Sequence, residues 1–193
     1  MAKKESTFIN MVLTLFVVTL LASTSLGYIY EITKGPIART KKLRKLKAIK
    51  QVVPEFTNNP DEEKYKVASP DGLDSLVFYP AKKDGEIIGT AIETYTTKGF
   101  SGLIKIMAGF KPDGSIYNIS VLEHKETPGL GTKMADAKFK NQFVGINPSD
   151  FLLKVKKDGG QVDAITAATI SSRAFCDAVQ KAHDAYNEHN LGN

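Results

Sequence analysis

Hydrophobic positions change period twice along the chain. From Phe8 to Tyr30 the residues FINMVLTLFVVTLLASTSLGYIY run without a charge, which at ~1.5 Å per residue is long enough to cross a ~30 Å hydrocarbon core. Gly35-Pro36 then predicts a break. Beyond it, Ala38 to Val53 has helix-forming composition with Leu43, Leu46, Ile49 and Val53 on one stripe, a second, amphipathic helix that Pro54 ends. Alternating or continuous apolar and β-branched runs follow over Leu73–Tyr79, Glu86–Thr96, Gly102–Phe110 and Ser115–Leu122. They are separated by turn signals at Lys83-Asp84-Gly85, Thr97-Lys98-Gly99 and Pro112-Asp113-Gly114, a series that predicts an antiparallel sheet. A short helix is expected from Met134 to Phe143, a strand over Leu152–Val155, and a turn at Lys157-Asp158-Gly159-Gly160. From Ser171 to His189, the spacing of Ala174, Phe175, Ala178, Val179, Ala182 and Tyr186 predicts a long closing helix. The fold class is α+β: an N-terminal transmembrane helix, then a mostly antiparallel sheet with flanking helices. Its expected parts are a tail (1–7), an anchor (8–30), a basic juxtamembrane helix (31–54) and a globular domain (55–193).

Charge sharpens this division. Eight basic residues from Lys34 to Lys50 form a run with no acid among them, so with Lys3 and Lys4 ten of the 26 basic residues precede position 51. Sixteen then remain against 19 acids, and the globular part carries about −3, which argues against a nucleic-acid surface. The basic helix is either a solvated stalk or a surface for anionic lipid headgroups. The apolar segment also has the parts of a cleaved signal peptide, but its apolar character continues through Tyr28, Ile29 and Tyr30, where an interfacial aromatic belt belongs. A retained single-pass anchor is the favoured expectation.

Composition limits the chemistry. The single cysteine, Cys176, excludes an internal disulfide, a Cys-built zinc site and an iron–sulfur cluster ligated by this chain alone. Three scattered histidines suggest no metal site, so electron transfer here would need an organic cofactor.

Two segments exceed what packing requires. In Leu122-Glu123-His124-Lys125-Glu126-Thr127-Pro128-Gly129-Leu130-Gly131-Thr132 a strand runs into a loop where two glycines bracket a leucine, allowing close backbone approach to a ligand, with Glu126, Thr127 and Lys133 as polar neighbours. An ordinary turn fits the same residues. The second segment, Asp163-Ala164-Ile165-Thr166-Ala167-Ala168-Thr169-Ile170-Ser171-Ser172-Arg173, directly precedes the closing helix. It reads either as a small-residue loop with Ser171 or Ser172 as N-cap, or as a phosphate site. In the second case Thr169 stands at a helix N-terminus, Arg173 adds a charge-assisted contact, and Ala167 and Ala168 leave room for a bulky ligand.

Asp163 to Thr169 resembles the flavinylation motif Asp-x-x-Ser/Thr-Gly/Ala-Ala-Thr, and Glu126-Thr127-Pro128-Gly129-Leu130-Gly131 resembles a second signature of the FMN-binding domain family. Over essentially its whole length the chain is similar to G subunits of Rnf electron-transport complexes. That resemblance implies FMN held by a phosphoester on Thr169, installed from FAD by a flavin transferase. Asp163 and Thr166 would serve modification or loop geometry, and Thr127, Gly129, Leu130 and Gly131 would approach the flavin. Ala167 stands where the motif usually has glycine. The implied role is electron carrier, rather than a catalytic chain by itself, in a ferredoxin:NAD oxidoreductase that couples electron flow to ion translocation. Its partners would be the other membrane, iron–sulfur and flavin subunits. The alternatives are the homologous C subunit of a sodium-pumping NADH:quinone reductase, a membrane-anchored adaptor without a redox role, and, without a supporting motif, a hydrolase using His124 and Glu126. Family resemblance places the domain on the outer face of a bacterial cytoplasmic membrane. The basic run after the anchor, under the positive-inside rule, places it inside.

Overall fold

A computed structural model describes residues 7–72 and 74–191 of the chain; the expected tail, apart from Thr7, and Leu73 of the expected first strand lie outside them. The chain divides into two compact units, residues 1–43 and 44–193.

From Phe8 onward the first unit is helical. Helix α1 runs from Phe8 to Val52 with Pro36 inside it, so the expected break at Gly35-Pro36 does not occur. Proline removes one i→i−4 bond at a cost of about 3 kcal/mol, and helix-forming turns on both sides carry the helix through. The Thr40 hydroxyl donates to the Pro36 carbonyl at 2.9 Å. Phe8, Leu13, Phe16, Leu21 and Leu26 are all exposed, and no residue of the apolar stretch long enough to span a membrane is buried by protein. Within that apolar stretch Thr14, Thr19, Ser23 and Thr24 donate their hydroxyls back to carbonyls three or four residues earlier, leaving no hydroxyl of theirs to be solvated by hydrocarbon.

The second unit starts inside α1, at Arg44, rather than after Pro54 as expected. The cause is the apolar stripe. Ala48, Ile49, Val52 and Val53 are buried against Tyr79, Ala81, Ala91 and Met107 on one face of the sheet. Gly109 permits this contact, since a Cβ there would lie 1.6 Å from the Val52 carbonyl oxygen. Lys45 pairs with Glu93 at 2.8 Å, and Glu93 also accepts the Tyr79 hydroxyl at 3.1 Å. The apolar stripe at the end of the basic helix is therefore part of the domain's packing, while Arg44, Lys47 and Lys50 on its other side stay exposed.

The sheet has five antiparallel strands in sequence order: β1 (Tyr65–Ala68), β2 (Ser75–Lys83), β3 (Glu86–Gly99), β4 (Gly102–Phe110) and β5 (Ile116–His124). The β1 strand was not expected; it is short, largely exposed and pairs only with β2. Asp84 and Gly85, both at positive φ, form the two-residue turn between β2 and β3. The next turn falls at Phe100-Ser101 rather than Thr97-Lys98-Gly99, because a register irregularity after Thr96 carries β3 on to Gly99, opposite Gly102.

Alternation along the strands gives the sheet two buried faces. Phe78, Ile92, Ile104, Ile106 and Phe110 point to the larger core, which helix α3 (Thr169–Leu191) covers with Phe175, Val179 and Ala182. Thr94 on the same face donates to the Ala178 carbonyl at 3.1 Å. The expected helix from Met134 to Phe143 is split into a 3-10 turn (Gly131–Ala135), one α turn, α2 (Ala137–Lys140), and another 3-10 turn (Asn141–Phe143). The expected Leu152–Val155 strand is absent, with only a single parallel bridge from Val155 to Val162. The segment tightens instead into a 3-10 turn (Lys156–Asp158) closed by Gly159 at φ +80°.

Candidate functional site: a cavity at the start of the closing helix

Both segments singled out in the sequence converge on one cavity of about 310 Å³. The β3–β4 turn contributes Phe100, the glycine loop contributes Glu126, Thr127, Leu130 and Gly131, and residues 167–171 close the other side. Thr169 is the first residue of α3, half-buried and part of the cavity wall. Helix geometry leaves the amides of this first turn without intrahelical acceptors and puts the positive end of the dipole there.

Ser171 and Ser172, expected as possible N-caps, do other work, because α3 begins at Thr169, upstream of both. Ser172 Oγ accepts the Ile165 amide at 2.9 Å and donates to the Ala168 carbonyl at 3.0 Å, so one hydroxyl staples the loop to the helix. Ser171 Oγ donates at 2.7 Å to Glu126 Oε2. Ala167, at φ +59°, holds the left-handed conformation that favours glycine, the physical reason a glycine suits that place in the motif.

Glu126 is 5 % exposed, and besides Ser171 it accepts the Ser101 amide on Oε1 at 3.0 Å. Two glycines make room for it: a Cβ on Gly131 would stand 2.6 Å from Oε2, and one on Gly99 would stand 2.7 Å from Oε1. The Glu126 amide donates to His124 Nδ1 at 3.2 Å, which makes His124 a satisfied strand-end residue. The glycine loop is bonded to itself, Leu130 N–H to the Thr127 carbonyl at 3.2 Å and Gly129 N–H to Thr132 Oγ1 at 3.0 Å.

Other expected site residues face elsewhere. Arg173 binds Asp158 through Nε at 2.6 Å and a terminal nitrogen at 2.7 Å, and the guanidinium lowers the Asp158 pKa from the ordinary carboxylate range. Both line a second cavity, of about 840 Å³, with Leu152, Lys154, Cys176 and Asp177. Asp163 pairs with Lys156 at 2.7 Å, and its backbone N–H donates to Gln142 Oε1 while its carbonyl accepts from Gln142 Nε2. Asp163, Thr166, Gly129 and Lys133 are exposed and not in the wall of the smaller cavity. Cys176 is buried and its thiol is pushed up to about 12, chiefly by burial, so it is no nucleophile. Among the described residues no group of His, Cys, Asp and Glu is arranged to hold a metal ion.

Sequence reasoning missed Phe100, Ile170 and the bridging role of Ser171. Phe100, 68 % exposed in a hairpin turn, is the kind of apolar exposure that could have drawn notice, but only once the turn was placed. Nothing local marks the Ser171–Glu126 bond, which spans 45 positions.

Residues 99–184, which contain the whole cavity wall, match the FMN-binding domain family. The second unit is thus an FMN-binding domain, preceded by one apolar helix long enough to span a membrane. The chain is 38% identical over 193 aligned residues to the G subunit of the ion-translocating oxidoreductase complex of Aliivibrio fischeri, covering 93% of this chain and 90% of that one. It is 31% identical to the G subunit of the Na(+)-translocating ferredoxin:NAD(+) oxidoreductase complex of Acetobacterium woodii, over 90% of this chain and 89% of that one. The chain belongs to this family of G subunits. Among solved structures, the C subunit of the Na(+)-translocating NADH-quinone reductase from Parabacteroides distasonis matches at 22% identity with a TM-score of 0.46, over 69% of this chain and 74% of that one.

Proposed function

We propose that this chain is the single-pass, covalently flavinylated electron carrier of an Rnf-type ferredoxin:NAD oxidoreductase, with FMN joined to Thr169 Oγ. The observation that carries the reading is the convergence of the Thr169 turn and the Glu126–Gly131 loop on one cavity of about 310 Å³ within the FMN-binding domain. The wall fits the group. A hydroxyl stands at a helix N-terminus where a phosphate is favoured, Ala167 and Ala168 leave it accessible, and Leu130, Ile170 and Phe100 offer apolar surface for a planar ring. In attachment, Thr169 Oγ forms a bond to the FMN phosphorus as the pyrophosphate bond of FAD breaks. AMP leaves and the threonine proton is released.

When bound, FMN supplies reversible electron acceptance, which this chain's own side chains lack. The first turn of α3 would hold the phosphate, Thr127 and Gly131 would border the group, and Glu126 fixes the turn to the loop. Asp163, Thr166, Gly129, Lys133 and Arg173, outside the wall, serve as determinants for a separate flavin transferase or shape the loops. Partners are the other membrane, iron–sulfur and flavin subunits of the complex, and the lipid bilayer. The domain lies on the outer face of the cytoplasmic membrane, where we place the transferase, and association with the complex outweighs the basic run in setting topology.

Intact mass of the chain, made with and without a flavin transferase, tests the core of this reading. The expected result is a transferase-dependent gain of one FMN less water, mapped to the peptide holding Thr169. An unchanged mass with an active transferase overturns it. For topology, Gly85→Cys in a Cys176→Ser background is expected to react with a membrane-impermeant thiol reagent on intact spheroplasts. Reaction only after lysis overturns the outward orientation.

A further inference from the structure

The Glu126 carboxylate is buried to 5 % exposure and has no ion pair among the described residues. A carboxylate in that position is costly unless neutral donors satisfy it. Two do so from different parts of the chain: Ser171 O–H in the first turn of α3 at 2.7 Å and Ser101 N–H in the β3–β4 turn at 3.0 Å. Glu126 itself belongs to the glycine loop, so one side chain ties together all three segments that enclose the cavity. Gly131 is needed for that same carboxylate, since a Cβ there would crowd Oε2 to 2.6 Å; a Cβ on Gly99 would come within 2.7 Å of Oε1 but would meet the Gly102 carbonyl oxygen closer still. Ser171 lies two residues after Thr169, on the same helical turn.

We propose that Glu126 is the positioning residue of the flavin site: it holds the Thr169 turn in register with the glycine loop, and its fixed negative charge beside the cavity lowers the reduction potential of a flavin held there. This rests on the reading of Thr169 as the attachment point. Glutamine can separate the two effects. Its carbonyl oxygen accepts the Ser101 amide and its NH₂ donates to Ser171 Oγ, so Glu126→Gln keeps the bridge and removes the charge. Glu126→Ala removes both, and Ser171→Ala cuts one strand of the bridge.

The test uses the full chain in its membrane, with flavin transferase limiting. Ser171→Ala is expected to lower covalent flavin occupancy roughly tenfold, the scale of losing one buried charge-assisted hydrogen bond, with Glu126→Ala, which loses both bonds, lower still and Glu126→Gln at the native level. The flavin of Glu126→Gln is expected to titrate at a higher midpoint potential than the native one. In the unmodified chain, amide exchange at 127–132 and 169–172 should accelerate together in Glu126→Ala while exchange in β3 and β4 does not. Native occupancy in Glu126→Ala, or occupancy in a folded Glu126→Gln as low as in Glu126→Ala, overturns the positioning role. An unshifted potential in Glu126→Gln overturns the electrostatic one. If Glu126→Ala does not fold, Ser171→Ala and Glu126→Gln still decide both points. Absence of flavin from the native chain would instead overturn the Thr169 reading, and the exchange comparison would still judge Glu126.

Discussion

Two cavities meet the first turn of α3, and Ile170 lines both. The larger, about 840 Å³, has a floor of Leu153, Val155 and Ala174 and a rim whose charges are mostly committed to each other: Arg173 to Asp158, Lys98 to Asp177. The smaller, about 310 Å³, holds a buried carboxylate, glycines placed by steric need, and a hydroxyl at a helix start. Volume favours the first as a ligand site; chemistry favours the second. The difference lies in unspent directional groups. In the larger cavity, ion pairs satisfy their own members, while the wall of the smaller one includes a hydroxyl residue, Thr169, at a helix N-terminus, a position that favours a phosphate.

The largest expected contrast between the cavities is at Thr169. Thr169→Val keeps shape and removes the hydroxyl, and on the proposed attachment it should abolish in-gel flavin fluorescence after denaturation while the domain's thermal transition persists. Thr166→Val, outside the cavity wall, should lower the yield without moving the attachment peptide. Covalent fluorescence undiminished in Thr169→Val would return the larger cavity to contention.

Next in size is Gly131→Ala. Its methyl would meet Glu126 Oε2 at 2.6 Å and Ser171 Oγ at 2.7 Å, both held by their mutual bond. Overpacking of this kind costs about 1–3 kcal/mol, to be read from denaturant midpoints, with flavin occupancy falling alongside. Gly129→Ala meets open space but is strained at φ +75°, so it should lose stability, by ~1 kcal/mol, with little change in occupancy. Equal effects on occupancy would mean that the loop is needed only for its backbone shape.

How far each region was legible beforehand follows the range of the contacts that define it. The Asp84-Gly85 turn, the strands around it and the stripe of α3 rest on neighbours a few positions apart, and the sequence pattern found them. The glycine loop and the Thr169 turn were marked individually, by residue types that suit a ligand. What joins them was not, since Glu126 reaches 25 positions back to Ser101 and 45 forward to Ser171. The same limit hid the seat of Val52 on Gly109 and so put the domain boundary after Pro54 instead of at Arg44. Pro36 misled for the opposite reason, as a strong local signal overridden by the helix on both sides of it.

A smaller effect is expected at Ala167, which lines the smaller cavity at φ +59°. Ala167→Gly relieves a left-handed penalty of about 1–2 kcal/mol, while the added freedom of the unfolded chain takes back about 0.4–1 kcal/mol. The net is a modest gain, visible as a raised thermal midpoint in the unmodified chain. A lowered midpoint would mean that the alanine methyl makes packing contacts that outweigh its strain.

The smallest effect belongs to the larger cavity. Arg173 and Asp158 form a bidentate pair, but both side chains are substantially exposed, where solvent and salt screen such pairs. Arg173→Ala should leave flavin occupancy at the native level and move the thermal midpoint by an amount near the limit of detection. The pH dependence gives a cleaner sign. Arg173 lowers the Asp158 pKa in the folded state, so the pair's contribution is present above the ordinary carboxylate range and is lost as pH falls through the lowered value. The gap between native chain and Arg173→Ala should therefore be widest near neutrality and close in acid, and added salt should narrow it at any pH. A clear loss of occupancy in Arg173→Ala would show instead that the guanidinium leaves Asp158 to meet the phosphate, and the two cavities would then act as one site divided by Ile170.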